Sequence, residues 1–502
     1  MGNPTERRFN LVDEAWIPVA GEGRVSLMRI FSDPSLKALG GNPVEKISIM
    51  KFLLAIAQAA HTPEDEEDLF NLGCHGLAAK AAHYLDEKRD LFWLYGDKPF
   101  LQMPSISQAE IKSTGTVKLE VSTGNTTVLT EDQIEKKMDD GEKALLLIFL
   151  SCLALGGKKA DNSIVLSKGY MGKSNKKGKP SSAKAGPSLG YLGYLHNFIC
   201  GRTLWETVWL NMLTKNNVKD NKQFSEGIGL PPWEAMPEGE DCARAKTLKN
   251  SLMGRLVPLC RFVLLTTEGI HYSEGIAHLS HKDNGIDPSI AVDFSNDPKA
   301  IWTDPEKRPW RQITSLLSFL NANANRSFEC IQLSVGVLRA RKAVPEFRIW
   351  SGGIKVTSNP AGEQFLSGND DFVESEIILN ATWLGDIWFT YLKTEIETLE
   401  SIANEVKVKI IKYFKKDVVG KKKASEAANI FWQLCERKFQ QLVDACGEDS
   451  TGNKAVAMRR LFVEYADRAF DAVCPRDTAR QMEAWAANRP NLGRFLKTDI
   501  KQ

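Results

Sequence analysis

Apolar residues recur at helical spacing from Val44 to Ala60, VEKISIMKFLLAIAQAA, which predicts a buried helix. EDEEDLF, Glu64 to Phe70, opens another helical segment, because acids in a first turn suit the positive end of the helix dipole. EKALLLIFLSCLAL, Glu142 to Leu155, predicts a third helix, ended by Gly156 and Gly157. GRTLWETVWLNMLT, Gly201 to Thr214, predicts a fourth, with Leu204, Trp205, Val208 and Met212 on its apolar face. The opening FNLVDEAWIPVAGEG instead alternates short β-prone pieces with turn residues, then runs into VSLMRIF, a helix start. Thr114 to Thr130, rich in Thr and Val around a Gly-Asn turn, reads as strand or ordered loop. From Gly254 to Phe365, β-rich pieces such as LVPLCRFVLL, FECIQLSVGVL and FRIWSGGIKVTS alternate with turns. This mixture is α+β, without the regular βαβ rhythm of a nucleotide-binding sheet.

Near Val373 the pattern changes. From Ser375 onward there are almost no β-rich runs, and a stripe of Leu384, Ile387, Trp388, Tyr391, Leu392, Ile396, Leu399 and Ile402 predicts a long amphipathic helix. Helical segments at Ala424–Cys446, Gly452–Val473 and Arg476–Ala487 complete an antiparallel four-helix bundle. The expected organisation is a large mixed domain, 1–372, followed by a helical bundle, 373–502, with the change between Asp370 and Glu376.

Composition agrees with at least two globular domains: 502 residues, 43% apolar and 25% charged. No apolar run is long enough to cross a membrane, and the N-terminal stretch lacks the apolar core of a secretion signal. Nine scattered cysteines, never spaced as CxxC, read as buried free thiols in a reducing cytoplasm.

Catalytic constellations are not found. SKGYMGKS, Ser167 to Ser174, ends like a phosphate loop but has Ser167 where the first glycine belongs. His271, His278 and His281 with Asp283 lack the helical spacing and cysteine partners of a metal site, so surface or packing roles are expected. Cys74, His75 and His83 read as ordinary helix residues. No cofactor and no metal are expected.

Charge changes the picture. The whole chain is nearly neutral, +2 from 65 basic and 63 acidic side chains. Yet GYMGKSNKKGKPSSAKAG, Gly169 to Gly186, carries Lys173, Lys176, Lys177, Lys179 and Lys184 with no acid, and Lys168 stands just before it. Its Gly, Ser and Pro content predicts neither helix nor strand. A second run, VKVKIIKYFKKDVVGKKK, holds Lys407, Lys409, Lys412, Lys415, Lys416, Lys421, Lys422 and Lys423 against Asp417 alone. One such run is ordinarily a solvated face; two, one on a glycine-punctuated loop, point to a polyanion. Lysines supply affinity for phosphates, not sequence choice.

FNLVDEAWIPV (Phe9 to Val19), the SLMRIF helix, KPFLQMP (Lys98 to Pro104) and GRTLWETVWLNML (Gly201 to Leu213) together resemble the CasA-type large subunit of the type I-E CRISPR surveillance complex, Cascade. Motif order, length and the late switch to helices extend the resemblance over essentially the whole chain. It implies a non-enzymatic subunit that inspects duplex DNA for the protospacer-adjacent motif from the minor groove. Such a subunit helps open the duplex and carries the helicase-nuclease, while base pairing with the guide RNA reads the rest. The implied partners are the guide RNA at its 5′ handle, target duplex and displaced strand, the backbone, handle-binding and small subunits, and the helicase-nuclease.

The resemblance also assigns residues. Asn125, Thr126, Thr127, Val128, Leu129 and Thr130 match a loop that contacts the guide-RNA handle region and a neighbouring subunit. Lys168, Gly169, Gly172, Lys173, Lys176, Lys177, Lys179 and Lys184 match a glycine-rich loop that approaches the minor groove. Gly352 and Gly353, expected after a strand, lead into a polar hairpin matching the duplex wedge, with Asn359 and Gln364 as wedge candidates and Lys355 as a phosphate or groove contact. Lys409, Lys412, Lys416, Lys421, Lys422 and Lys423 of the bundle would lie along single-stranded DNA. Two other readings stay open: a purely structural assembly subunit, and a hydrolase built on His271, His278 and His281.

Overall fold

The computed structural model describes residues 7–114, 137–157, 161–181, 189–283, 285–320, 328–360, 362–366, 371–415, 417–449 and 451–496. Their contacts divide the chain into two units, one made of 1–305, 327–343 and 348–376, the other of 306–326, 344–347 and 377–502. The fold is α+β with C-terminal helices, as the patterning predicts.

In the first unit the helix Pro43–Ala60 is buried almost all round, so it runs through the interior rather than along a surface. Its start is fixed by a capping box: Asn42 accepts from the Glu45 amide, and the Glu45 carboxylate accepts from the Asn42 amide. Phe52 on this helix meets Phe100 and Trp233 edge-on at 5.9 and 5.6 Å, and Phe92 stacks on Phe100 at 5.0 Å. Beside that core lie small sheets. Arg261–Leu265 and Ile270–Glu274 form an antiparallel hairpin. His196–Cys200 pairs antiparallel with Glu346–Ile354, with Arg348 opposite Cys200 and Gly352 opposite His196. Phe372–Asn380 flanks that sheet on its other side.

Two local expectations are corrected. FECIQLSVGVL is not β-rich structure; apart from Phe328–Glu329 it enters the helix Ile331–Ala343. The selection is tertiary. The buried Arg339 guanidinium donates to the carbonyls of Trp209, Leu210 and Met212, at the end of the Leu204–Asn211 helix, and grips Glu66 through two bonds of 2.9 and 2.6 Å. Only a helix through 331–343 delivers Leu333, Gly336, Val337 and Ala340 to the same buried face. The β character also persists past Ser375, because Phe372–Asn380 is a nine-residue strand.

A buried polar cluster ties the sheet to the central helix. Lys51 is ion-paired with Asp287, both 1% exposed, and Asp287 also accepts from the amide and hydroxyl of Ser289. Since the Ser289 hydroxyl donates to Asp287 at 2.7 Å, the 2.8 Å contact from His196 Nδ1 makes that nitrogen the protonated one. Burial pushes the Asp287 carboxyl upward, but Lys51, His196 and Ser289 outweigh it and leave it below the usual carboxylate range. His196 and His278 are both driven down to about 3, chiefly by burial. Both pKa values are thus depressed on folding, so below pH 6.5 the unfolded chain binds protons that the folded chain refuses. The expected result is full stability above pH 6.5 and a loss of about 2 kcal/mol per histidine by pH 5. Urea midpoints measured from pH 7.5 to 5 check this; a flat profile refutes it.

In the second unit, Asp386–Tyr413, Val418–Glu448 and Asn453–Val473 are joined by short loops, so neighbours run antiparallel, and Ala479–Asn488 adds a fourth, shorter helix. Trp388, Leu392, Ile396, Leu399, Ile402, Val406 and Ile410 form the inward stripe of the first. A buried bidentate pair, Arg459 with Glu395 at 2.8 and 2.7 Å, crosses between helices. Trp310, from 306–326, packs on Phe439 at 4.4 Å. Among the described residues no helix is long and apolar enough to cross a membrane, and no group of three or more His, Cys, Asp or Glu could hold a metal. All nine cysteines are free.

Candidate nucleic-acid interface

The lysine segment corrects the expectation of a structureless loop. Lys173–Ser174 pairs antiparallel with Pro180–Ser181, making a small hairpin. Asn175 builds its turn: the side-chain oxygen accepts from the amides of Lys177 and Lys179, and its carbonyl accepts from the Gly178 amide. Gly178 takes φ +74°, the left-handed region that glycine enters without strain. At the base, the Tyr170 hydroxyl donates to the Ser181 carbonyl, and Gly172 leaves space for the Tyr170 ring, which a Cβ would meet at 1.8 Å. Lys168, Lys176, Lys177 and Lys179 are exposed, and none is paired with a carboxylate among the described residues. Lys173 joins the hairpin through its backbone; Lys184 lies outside the described residues.

The second hairpin differs more from its expected form. Gly352 and Gly353 do not follow a strand but sit inside Glu346–Ile354, buried. Their missing side chains serve packing: a Cβ would meet the Trp350 ring at 2.6 Å at Gly352 and the Thr303 hydroxyl at 2.2 Å at Gly353. The hairpin itself pairs Thr357–Ser358 with Gln364–Phe365. Asn359 is used by the turn, its side-chain oxygen accepting from the Glu363 amide. Gln364 does not project outward. It is buried, its side-chain oxygen accepting from the Gly156 amide at 2.6 Å while its backbone N–H donates to the Gly156 carbonyl at 3.1 Å. Gly156 and Gly157 form the seat. A Cβ on Gly156 would strike Tyr191 and Gln364, and at Gly157, with φ +96°, a Cβ would meet the Glu363 backbone at 3.0 Å. Arg261 steadies that seat from behind, donating to the Leu155 carbonyl at 2.8 Å and to Glu274 at 3.0 Å. Lys355 is partly exposed, and no carboxylate pairs with it among the described residues.

The family described as CRISPR-associated protein Cse1 matches residues 10–475 of this chain. The chain belongs to the Cse1 family. A CasA/Cse1 protein of Thermus thermophilus is 26% identical over 338 residues, 62% of this chain and 60% of the relative. The match therefore spans less than two thirds of that relative's length. The crystal structure of Cse1 from Thermobifida fusca superposes with a TM-score of 0.76 at 18% identity, covering 98% of each chain. A chain of a solved CRISPR RNA-guided surveillance complex gives 0.67 at 15% identity, covering 97% of this chain and 99% of that one. These structural likenesses speak to the fold, and the resemblance read from the motifs is borne out.

The bundle lysines of this Cse1-family chain occupy the end of the Asp386–Tyr413 helix, the following loop and the start of Val418–Glu448. Lys412, Lys421 and Lys422 are exposed. Lys423 pairs with Glu426 at 2.7 Å, and Lys409 lies 3.9 Å from Glu405, which Arg494 also holds at 2.9 Å; these acids flank the run in sequence and become its neighbours through i+3 and i−4 spacing. Lys416 and the guide-RNA loop residues Asn125, Thr126, Thr127, Val128, Leu129 and Thr130 lie outside the described residues. Sequence reasoning missed the Gly156–Gly157 seat and its support by Arg261. The Gly-Gly pair is the available signal, and in the sequence it reads only as a helix stop.

Proposed function

We propose that this chain is the non-enzymatic, cytoplasmic large subunit of an RNA-guided DNA surveillance complex. In this reading it inspects duplex DNA for a short flanking motif, helps open the duplex and offers a platform to the helicase-nuclease. The observation that carries the reading is the lysine hairpin, on a chain of the Cse1 family. A turn closed by its own Asn175 holds exposed ammonium groups that no described carboxylate neutralises. That arrangement suits phosphates flanking a groove, with glycines permitting close backbone approach. The hairpin at 357–365 acts as the duplex wedge. Gln364 leaves its seat on Gly156 to do so, or Asn359 at the turn makes the contact instead. The bundle lysines, chiefly Lys412, Lys421 and Lys422, follow a single strand, and residues 125–130 meet the guide-RNA handle region and an adjoining subunit.

The test compares the guide-RNA complex with and without this chain on targets carrying a permissive or a scrambled flanking motif. The expected result is motif preference only when the chain is present. Equal binding to both targets in both preparations would leave the assembly-subunit reading in its place.

A further inference from the structure

Of the twelve tryptophans, eleven are buried or half-buried, and Trp302 alone is exposed, at 41%. It is not a loose surface ring. Its ring centroid lies 4.6 Å from that of Tyr194 and 5.9 Å from that of Tyr191, and the two tyrosines meet edge-on at 5.6 Å. The backbone fixes the cluster: Tyr194 and Trp302 form an antiparallel bridge, and the Thr303 amide donates to the Gly193 carbonyl at 2.8 Å. Gly193 makes the close approach possible, since a Cβ there would lie 2.8 Å from the indole.

The cluster borders both strands of the 357–365 hairpin. A Cβ on Gly193 would meet Val356, just before the first strand, at 3.0 Å as well as the Trp302 indole, and a Cβ on Gly156 would meet both Tyr191 and Gln364 of the second. Lys355 precedes Val356 in the chain, partly exposed and without a carboxylate partner among the described residues. Phe365, opposite Thr357, is 40% exposed.

We infer that Trp302, backed by the buried Tyr194 and by Tyr191, is a stacking platform for an unpaired nucleobase, with Lys355 balancing its phosphate. A rigid aromatic face together with a cation holds single-stranded nucleic acid without reading its sequence, because every base has a π-face. The inference deepens the proposed function and rests on it: a base displaced when the duplex opens at the hairpin needs a partner that replaces its lost stacking.

The complex, with full chain and guide RNA, is titrated with a paired duplex, the same duplex with a short mismatched bubble beside the motif, and the bubble with abasic sites. Separate arms place the abasic sites in the target strand, the displaced strand or the guide RNA, which identifies the strand that stacks. Trp302→Ala is expected to weaken bubble binding about tenfold and to leave binding to the abasic bubble of the stacking strand unchanged, while Trp302→Phe keeps most of the affinity. Equal binding of parent and Ala variant to the bubble overturns the platform, as does an equal loss on every abasic bubble. Failure of the Ala variant, but not the Phe variant, to enter the complex overturns it too, and assigns the ring to a protein contact. Motif preference of the parent on paired duplex is read in the same titrations, so failure of the proposed function and failure of the platform are told apart.

Discussion

Replacing Lys176, Lys177 and Lys179 together by Ala is expected to weaken duplex binding by the complex and to flatten its salt dependence. Each lysine that neutralises a phosphate contributes about 0.9 to the slope of log affinity against log salt, so losing three lowers the slope by about 2.7. Between about 50 and 200 mM salt that difference amounts to roughly 40-fold, so the defect grows as salt falls. The three side chains are exposed, and the turn that presents them is closed by Asn175 and Gly178, so the substitutions leave the hairpin's own hydrogen bonds in place. Affinity is read by titration at several salt concentrations. An unchanged slope removes this hairpin from the DNA contact, and a loss of affinity with an unchanged slope points to a disturbed fold instead.

The second large effect lies inside the first unit. Asp287→Asn keeps the acceptor for Ser289 but leaves the Lys51 ammonium buried without its counter-charge. The expected loss is about 3–5 kcal/mol, because an unpaired buried charge retains its desolvation penalty after the attraction is gone. Lys51→Met leaves the converse charge on Asp287 and is expected to cost a similar amount. The double variant, with neither charge, is expected to recover much of the loss. Chemical denaturation of the four proteins forms a double-mutant cycle. Additive losses would mean that the pair is not coupled. The network also joins the Pro43–Ala60 helix to His196 on the sheet strand, so its loss is expected to reach the sheet that leads to the 357–365 hairpin.

How legible these features were depended on whether the controlling interaction was local. Apolar periodicity located the Pro43–Ala60 helix closely and the start of the Asp140–Cys152 helix to within two residues, and in both the start is settled locally, by Asn42 with Glu45 and by Asp139 with Glu142. The bundle was legible for the same reason: its stripes repeat every three or four residues over long stretches. FECIQLSVGVL was misread because a window of alternating and branched residues is compatible with either period. Arg339, near its end, takes its partners from Glu66 and from residues 209–212, far away in sequence.

The candidate site divides along the same line. The lysine runs and glycines were visible as letters, and the family motifs gave them a setting. Asn175 closing the lysine turn is a contact between near neighbours, yet strand formation there follows from pairing 173–174 with 180–181, which composition masks. The seat for Gln364 brings together residues 208 positions apart, Gly156 with Gln364, and behind them Leu155 with Arg261, 106 apart. Trp302, one tryptophan of twelve in the sequence, becomes distinctive only when its neighbours leave it exposed.

By itself the sequence determined the long helices of the bundle, those at 44–60, 142–155 and 201–214 in outline, the α+β class, the family and the two concentrations of positive charge, because each is written in spacing or composition. Only the tertiary structure decided which lysines stay unpaired, that Gln364 is held inward, that 306–326 and 344–347 belong with the bundle, and where an aromatic face meets solvent. Those outcomes depend on burial and on partners distant along the chain, and a linear pattern carries neither.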